Sequence, residues 1–282
     1  MSLTGGSETM RAKPVAQPPT AWHSLGTVVR SGLRSERFAP LTWGLSLGAT
    51  CALIAAMWPS VSGPIQKAIQ SYPSGIKQAF GITELNSVEQ YVDAEMLSLV
   101  VPLAMAYFAV RCSTRLIVGA EERGYLDSLL SLPLSRRVLV AGSLIVTAIV
   151  LLEILAVCWA MTWVAGTVAG TDISARILAE GFGNVWPLSM AFAGLAILLA
   201  GILHHPSTVT AIAAGTLVAM YVVDLVGKIS PELKPYRIVS AFRYYGSAVQ
   251  NGINLSHILA LVAISAVLSA VGALLFDRRD IR

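Results

Sequence analysis

Apolar positions in this chain gather into long unbroken runs instead of alternating with polar ones at the two-residue or 3.6-residue period of a half-buried element. Six runs, at about 41–58, 94–118, 138–168, 184–203, 208–227 and 255–276, have the length of roughly 20 residues that carries a helix across a bilayer. Helices and closed barrels alone satisfy their backbone groups inside lipid. The runs therefore predict an all-α fold, a polytopic membrane protein with six transmembrane helices in a domain covering 41–282.

The intervals between the runs predict the rest. Residues 1–20 carry Gly, Ser and Pro with little hydrophobicity and read as a disordered tail. No signal peptide is evident, because the first long apolar run starts near Leu41 and no A-x-A-like site follows it. Within 21–40, Trp22, Leu25, Val29 and Leu33 recur at helical spacing, while Arg30, Arg34 and Arg37 occupy another face. That pattern predicts an amphipathic helix in the headgroup plane, leading the chain into the first span. His204-His205-Pro206-Ser207 predicts a tight turn between the fourth and fifth spans, and 228–254 forms a long segment before the sixth.

Composition sharpens this picture. The 282 residues are 55% hydrophobic and 13% charged, against about 25% charged in a soluble domain, and the mean hydropathy is +0.68. A net charge of +4 gives no reason to expect a nucleic-acid partner. The placement of the charges says more. With both termini cytoplasmic, thirteen of the 20 Lys and Arg residues fall on the inside and seven on the outside, the bias expected of a protein in the cytoplasmic membrane. Cys51, Cys112 and Cys158 lie in or beside apolar runs and read as small buried hydrophobes.

Two carboxylates fall inside spans, Glu153 in the middle of the third and Asp224 near the outer end of the fifth. Charges there mark a transport pathway or an interhelical bond; for Asp224, contact with interfacial water is a further reading. No catalytic set emerges. Glu121-Glu122 starts like the EExxxR motif of intramembrane proteases, but Leu126 stands where the arginine belongs. His204 and His205 are adjacent and cannot share a metal as an i, i+4 pair does. A phosphate-binding G-x-x-x-x-G-K-[ST] loop is absent: Gly227-Lys228 is followed by Ile229, and position 222 is Val. No cofactor is expected in this chain, and any ATP and Mg would belong to a partner.

The loop between the second and third spans, 119–137, is the most informative stretch. Glu122, Leu126, Leu129, Leu130 and Pro133 fall on one side of a short helix that Pro133 ends. Acids at its start and arginines at its end suit the helix dipole. Its apolar edge suits docking on a soluble partner, or packing on its own bundle.

The run "EERGYLDSLLSLPLSRRVLVAGSLI" resembles the signature of ABC-2-type permeases, the membrane subunits of ABC exporters. The similarity continues upstream through "YPSGIKQAFGI" and "YVDAEMLSLVVPLAMAYFAVRCSTRLIVG", covering roughly 70–145. It implies that Glu121, Glu122, Gly124, Leu126, Leu129, Leu130 and Pro133 form a coupling helix. It also implies two separate ABC ATPase subunits and a second permease subunit, identical or homologous. Tyr125 departs from the threonine usual in that family.

Three stripes of small residues bear on how such a second subunit packs. They are Gly44, Gly48, Ala52 and Ala56 on the first span, Ala211, Gly215 and Ala219 on the fifth, and Ser265, Ser269 and Ala273 on the sixth. Packing within one subunit is the rival reading. Phe242, Tyr244 and Tyr245, before the last span, are candidates for an outer gate, although interfacial aromatics are common to membrane proteins. The function expected is that of an exporter permease. The alternatives are an intramembrane enzyme acting on lipid or peptide, and a regulatory subunit that binds an ATPase without moving cargo.

Overall fold

The computed structural model describes residues 21–71, 86–122 and 136–277. Its elements are α1 (Ala21–Ser35), a π-helical turn (Pro40–Gly44) running into α2 (Leu45–Ser71), α3 (Val88–Val92) with a π-helical turn (Asp93–Leu97), and α4 (Val100–Glu122). Then come α5 (Arg136–Val168), α6 (Ala175–Ile202), α7 (Pro206–Ile229), a 3-10 helix (Lys234–Val239), α8 (Ala241–Tyr245), α9 (Ala248–Asn251) and α10 (Leu255–Asp277). Six helices are long and apolar enough to cross a membrane: Pro40–Pro64, Val100–Val118, α5, α6, α7 and α10. Among the described residues no strand occurs.

The fourth span differs most from its predicted bounds. It starts at Ala175, well before 184, because Arg176 and Glu180 form an i, i+4 ion pair on its first turns (2.9 Å) that breaks the apolar run without breaking the helix. Ser174 caps it, its Oγ accepting from the Ile177 N–H, and the Glu89 carboxylate accepts from the Ser174 N–H.

α6 is the hub. Its most apolar window is 72% buried, against 22% for the first, fifth and sixth spans, so those three keep wide faces open. Glycines let α10 come against α6 backbone to backbone. A Cβ at Gly194 would stand 2.7 Å from the Ser265 carbonyl oxygen, and one at Gly201 2.6 Å from that of Gly272. Ser265 Oγ donates to the Met190 carbonyl across the same seam (2.6 Å). Two indoles pin α5 to α6, Trp159 Nε1 donating to Ala175 O (2.9 Å) and Trp186 Nε1 to Ala148 O (3.0 Å). The cysteines are free and buried, as expected.

α1 crosses α5 through two reciprocal glycines. A Cβ at Gly32 would meet Val146 at 2.7 Å, and one at Gly142 would meet Val28 at 2.5 Å. Its apolar side rests on the bundle, and Arg30, Arg34 and Arg37 are exposed.

Candidate functional site

The ends of the bundle are built differently. At the end where α4 leaves and α5 returns, the loop end, the ties among the described residues are made by arginines. Arg115 Nη1 lies 3.1 Å from a carboxylate oxygen of buried Glu36, and Nη2 donates to Ser35 Oγ (3.2 Å), clipping the end of α1 to α4. Arg137 Nε donates to Asp277 Oδ2 (2.8 Å). Arg136 donates to the Phe276 carbonyl and lies over the Phe276 ring, 5.1 Å from its centroid. One clip, Arg115–Glu36, sits just before 119–137 and the other, Arg137–Asp277, at its last residue. Glu121 and Glu122 end the backbone of α4, with their side chains outside the described residues. Gly124, Leu126, Leu129, Leu130 and Pro133 lie outside them altogether.

The far end is closed by a dense polar network. Asp93, 5% exposed, accepts from Ser247 Oγ (2.6 Å) and Gln250 Nε2 (3.2 Å). Burial raises its pKa above the usual carboxylate value; those two hydrogen bonds and Lys228 oppose the rise. Tyr245 donates its hydroxyl to Leu97 O (2.7 Å), and its own carbonyl accepts from Asn184 Nδ2 (2.6 Å). Burial and the Asp93 charge hold this phenol well above its ordinary range. Asp93 and Glu89 sit at the ragged start of the second apolar run, where only the polar stretch from Asn86 to Gln90 marks them in the sequence.

Phe242, Tyr244 and Tyr245 are part of this closure. Phe242 is 4% exposed and meets Tyr221 (5.4 Å, edge-on) and Phe192 (6.1 Å); Tyr244 stands edge-on to His257 (5.6 Å). Of these three aromatics, Phe242 is buried in the core, and Tyr244 and Tyr245 are partly buried against it.

The intramembrane carboxylates part company. Asp224, placed near interfacial water as one reading of the sequence, is 2% exposed and doubly paired, with Arg237 Nε at 2.9 Å and Lys228 Nζ at 2.9 Å. It holds the 3-10 helix against α7, and Gly227 makes room, since a Cβ there would collide with Arg237 Cγ. Glu153 is the opposite case. It is exposed at the middle of the 33-residue α5, and no hydrogen bond or ion pair to it occurs among the described residues. A 33-residue helix spans about 50 Å, so centring it on a hydrocarbon core of about 30 Å sets Glu153 close to the midplane. Ile149, Leu152, Ala156 and Ala160 lie around it on the helix surface, and Leu152 is 52% exposed.

The small-residue stripes divide. A Cβ at Gly44 would meet Val157 at 3.0 Å and one at Gly48 would meet Met161 at 2.8 Å, so these two glycines, expected at a dimer contact, serve the chain's own third span. Ala52, next on that stripe, is half-buried. Ser265 and Ser269 are likewise buried within the chain. Ala211 is exposed and Gly215 has open space where a Cβ would be.

Among the described residues no cluster of His, Cys, Asp and Glu is placed to hold a metal. His204 follows α6, and His205 stands at the N-terminus of α7, ahead of Pro206.

Six apolar helices, the fourth of them the most buried, with polar closure at one end and arginine clips at the other define a polytopic integral membrane protein. Residues 9–277, nearly the whole chain, match the family described as multidrug efflux system permease Rv1217c, C-terminal domain. The chain belongs to that family, in accord with the permease resemblance carried by residues 70–145. No curated protein matches it.

Proposed function

We propose that this chain is the membrane subunit of an ATP-driven multidrug exporter in the cytoplasmic membrane, with both termini inside. The observation that carries this reading is the match to a multidrug efflux permease family over residues 9–277. ATP and Mg are bound by two separate ATPase subunits, which dock on 119–137 through Glu121, Glu122, Gly124, Leu126, Leu129, Leu130 and Pro133. ATP binding can bias the spans only through contacts that differ between their states. The loop and its flanking clips, Arg115–Glu36 and Arg137–Asp277, are where such contacts act.

The open faces of the spans favour a second permease unit. Glu153 supports the same view. A carboxylate at the bilayer midplane costs about 2.5–3.5 kcal/mol on insertion scales, and nothing among the described residues offsets it. Glu153 faces a pathway formed with the second unit, where water or an amphipathic cation meets it, and the open Ala211–Gly215 face of α7 is the remaining small-residue contact for that unit.

Reconstitution in vesicles tests the function. Accumulation of a lipophilic cationic dye is expected only with the ATPase subunits and ATP, and Glu153→Gln is expected to abolish it without shifting the melting temperature. Accumulation that needs no ATP, or chemical conversion of lipid or peptide by the isolated chain, would contradict it.

A further inference from the structure

Along α1 a groove of about 700 Å³ runs between that helix and Ile145 of α5. Leu25, Val29 and Ile145 are among its apolar lining residues, and Arg30, Arg34 and Arg37 stand along it. Such a groove, apolar along its wall and cationic along its edge, calls for an occupant that is amphipathic and anionic.

The charges are free to serve one. Glu36, the nearest acid in sequence, is buried and turned to Arg115. Among the described residues no ion pair involves Arg30, Arg34 or Arg37; Arg37 has only the Phe38 ring, 4.6 Å from its guanidinium to the centroid. Three guanidinium groups within two helical turns carry planar forks of donors that match phosphate oxygens.

The depth is right as well. α1 crosses α5 at Gly142 and Val146. With α5 centred on the bilayer, those residues fall about 9–15 Å from the midplane, in the outer part of a hydrocarbon core of about 30 Å. Ile145, 38% exposed, then points among the upper acyl carbons while the arginines reach headgroup level. The crossing is also rigid, because Gly32 under Val146 and Gly142 under Val28 fix α1 on α5.

We infer that this groove is a preformed site for an anionic phospholipid, whose phosphate is held by Arg30, Arg34 and Arg37 and whose acyl chain lies on Leu25, Val29 and Ile145. A general interfacial helix would respond only to surface charge density. This site instead selects one lipid molecule and retains it through purification. Its occupancy fixes α1, and through the Glu36–Arg115 clip touches the end of α4.

The test is native mass spectrometry of the full chain, purified in detergent and offered equal amounts of phosphatidylglycerol and phosphatidylcholine. Phosphatidylglycerol is expected to stay bound in preference. Replacing Arg30, Arg34 and Arg37 together by Gln is expected to weaken its retention by at least about tenfold, in line with the energy of basic residues near anionic headgroups. The matched triple Arg176→Gln, Lys234→Gln and Arg243→Gln removes the same charge from exposed residues elsewhere and is expected to change nothing. Ile145→Trp, which fills the wall and spares every charge, is expected to displace the lipid while leaving the melting temperature intact. Equal retention of the two lipids by the native chain would overturn the proposal. So would equal losses from both arginine triples, or a native chain from which soluble glycerol phosphate displaces the lipid as readily as phosphatidylglycerol does.

Discussion

The two ends of the bundle solve the problem of ending a membrane helix in opposite ways. At the far end, buried polar groups answer one another: Asp93 with Ser247 and Gln250, Tyr245 with Leu97 and Asn184, Asp224 with Arg237 and Lys228. Its buried carboxylates, Asp93 and Asp224, are costly to leave unpaired, so that end resists partial opening. Among the described residues of the loop end, Arg115 pairs with Glu36, Arg137 with Asp277, and Arg136 donates to the Phe276 carbonyl, and Arg137 is 69% exposed. The Arg137–Asp277 contact, open to solvent, contributes little and exchanges easily, whereas Glu36 is buried in its pair with Arg115. Among the described residues, buried hydrogen bonds and ion pairs are thus denser at the far end than at the end where the loop 119–137 lies.

The sharpest way to break the far end is Asp224→Ala. Removing a buried carboxylate strands Arg237 and Lys228; with Lys228 half exposed, the expected loss is about 2–4 kcal/mol. A lowered melting temperature, with proteolysis in 230–240, would be read out. Asp93 gives a subtler handle. Its raised pKa means the folded chain holds this proton more tightly than the unfolded chain, so stability is gained as pH falls through the folded value towards the ordinary 3.8 and lost as pH rises. Asp93→Asn removes that dependence. The native chain's melting temperature relative to the Asn variant is therefore expected to rise on acidification, and a constant difference would show that Asp93 does not titrate differently on folding. The smallest effect is expected at the other end, where Arg137→Ala costs less than about 1 kcal/mol. A loss as large as that from Asp224 would erase the contrast between the ends.

Much of this architecture was legible in the chain. Spans one, three, five and six follow from their apolar runs because lipid leaves the backbone no other way to be satisfied. The start of the fourth was hidden by Arg176 and Glu180, which neutralise each other on the helix surface. Small-residue spacing revealed that helices approach closely, but not which ones. Gly44 and Gly48 turned out to meet Val157 and Met161, because a stripe records distance and carries no label for its partner. The two intramembrane carboxylates show the same limit. Asp224 and Glu153 are equally visible as charges among apolar residues, yet Arg237, thirteen positions away, decides the role of the first. No described residue plays that part for Glu153.

Whether the loop end receives a motor is the central question, and one measurement addresses it directly. The chain is co-expressed with its ATPase subunits, purified through the permease, and assayed for bound ATPase and for ATP-dependent dye accumulation in vesicles. Glu122→Ala and Leu129→Asp are expected to lose both the bound ATPase and the accumulation while the variants melt at the native temperature. Retention of both by the two variants would contradict the coupling role of residues 119–137.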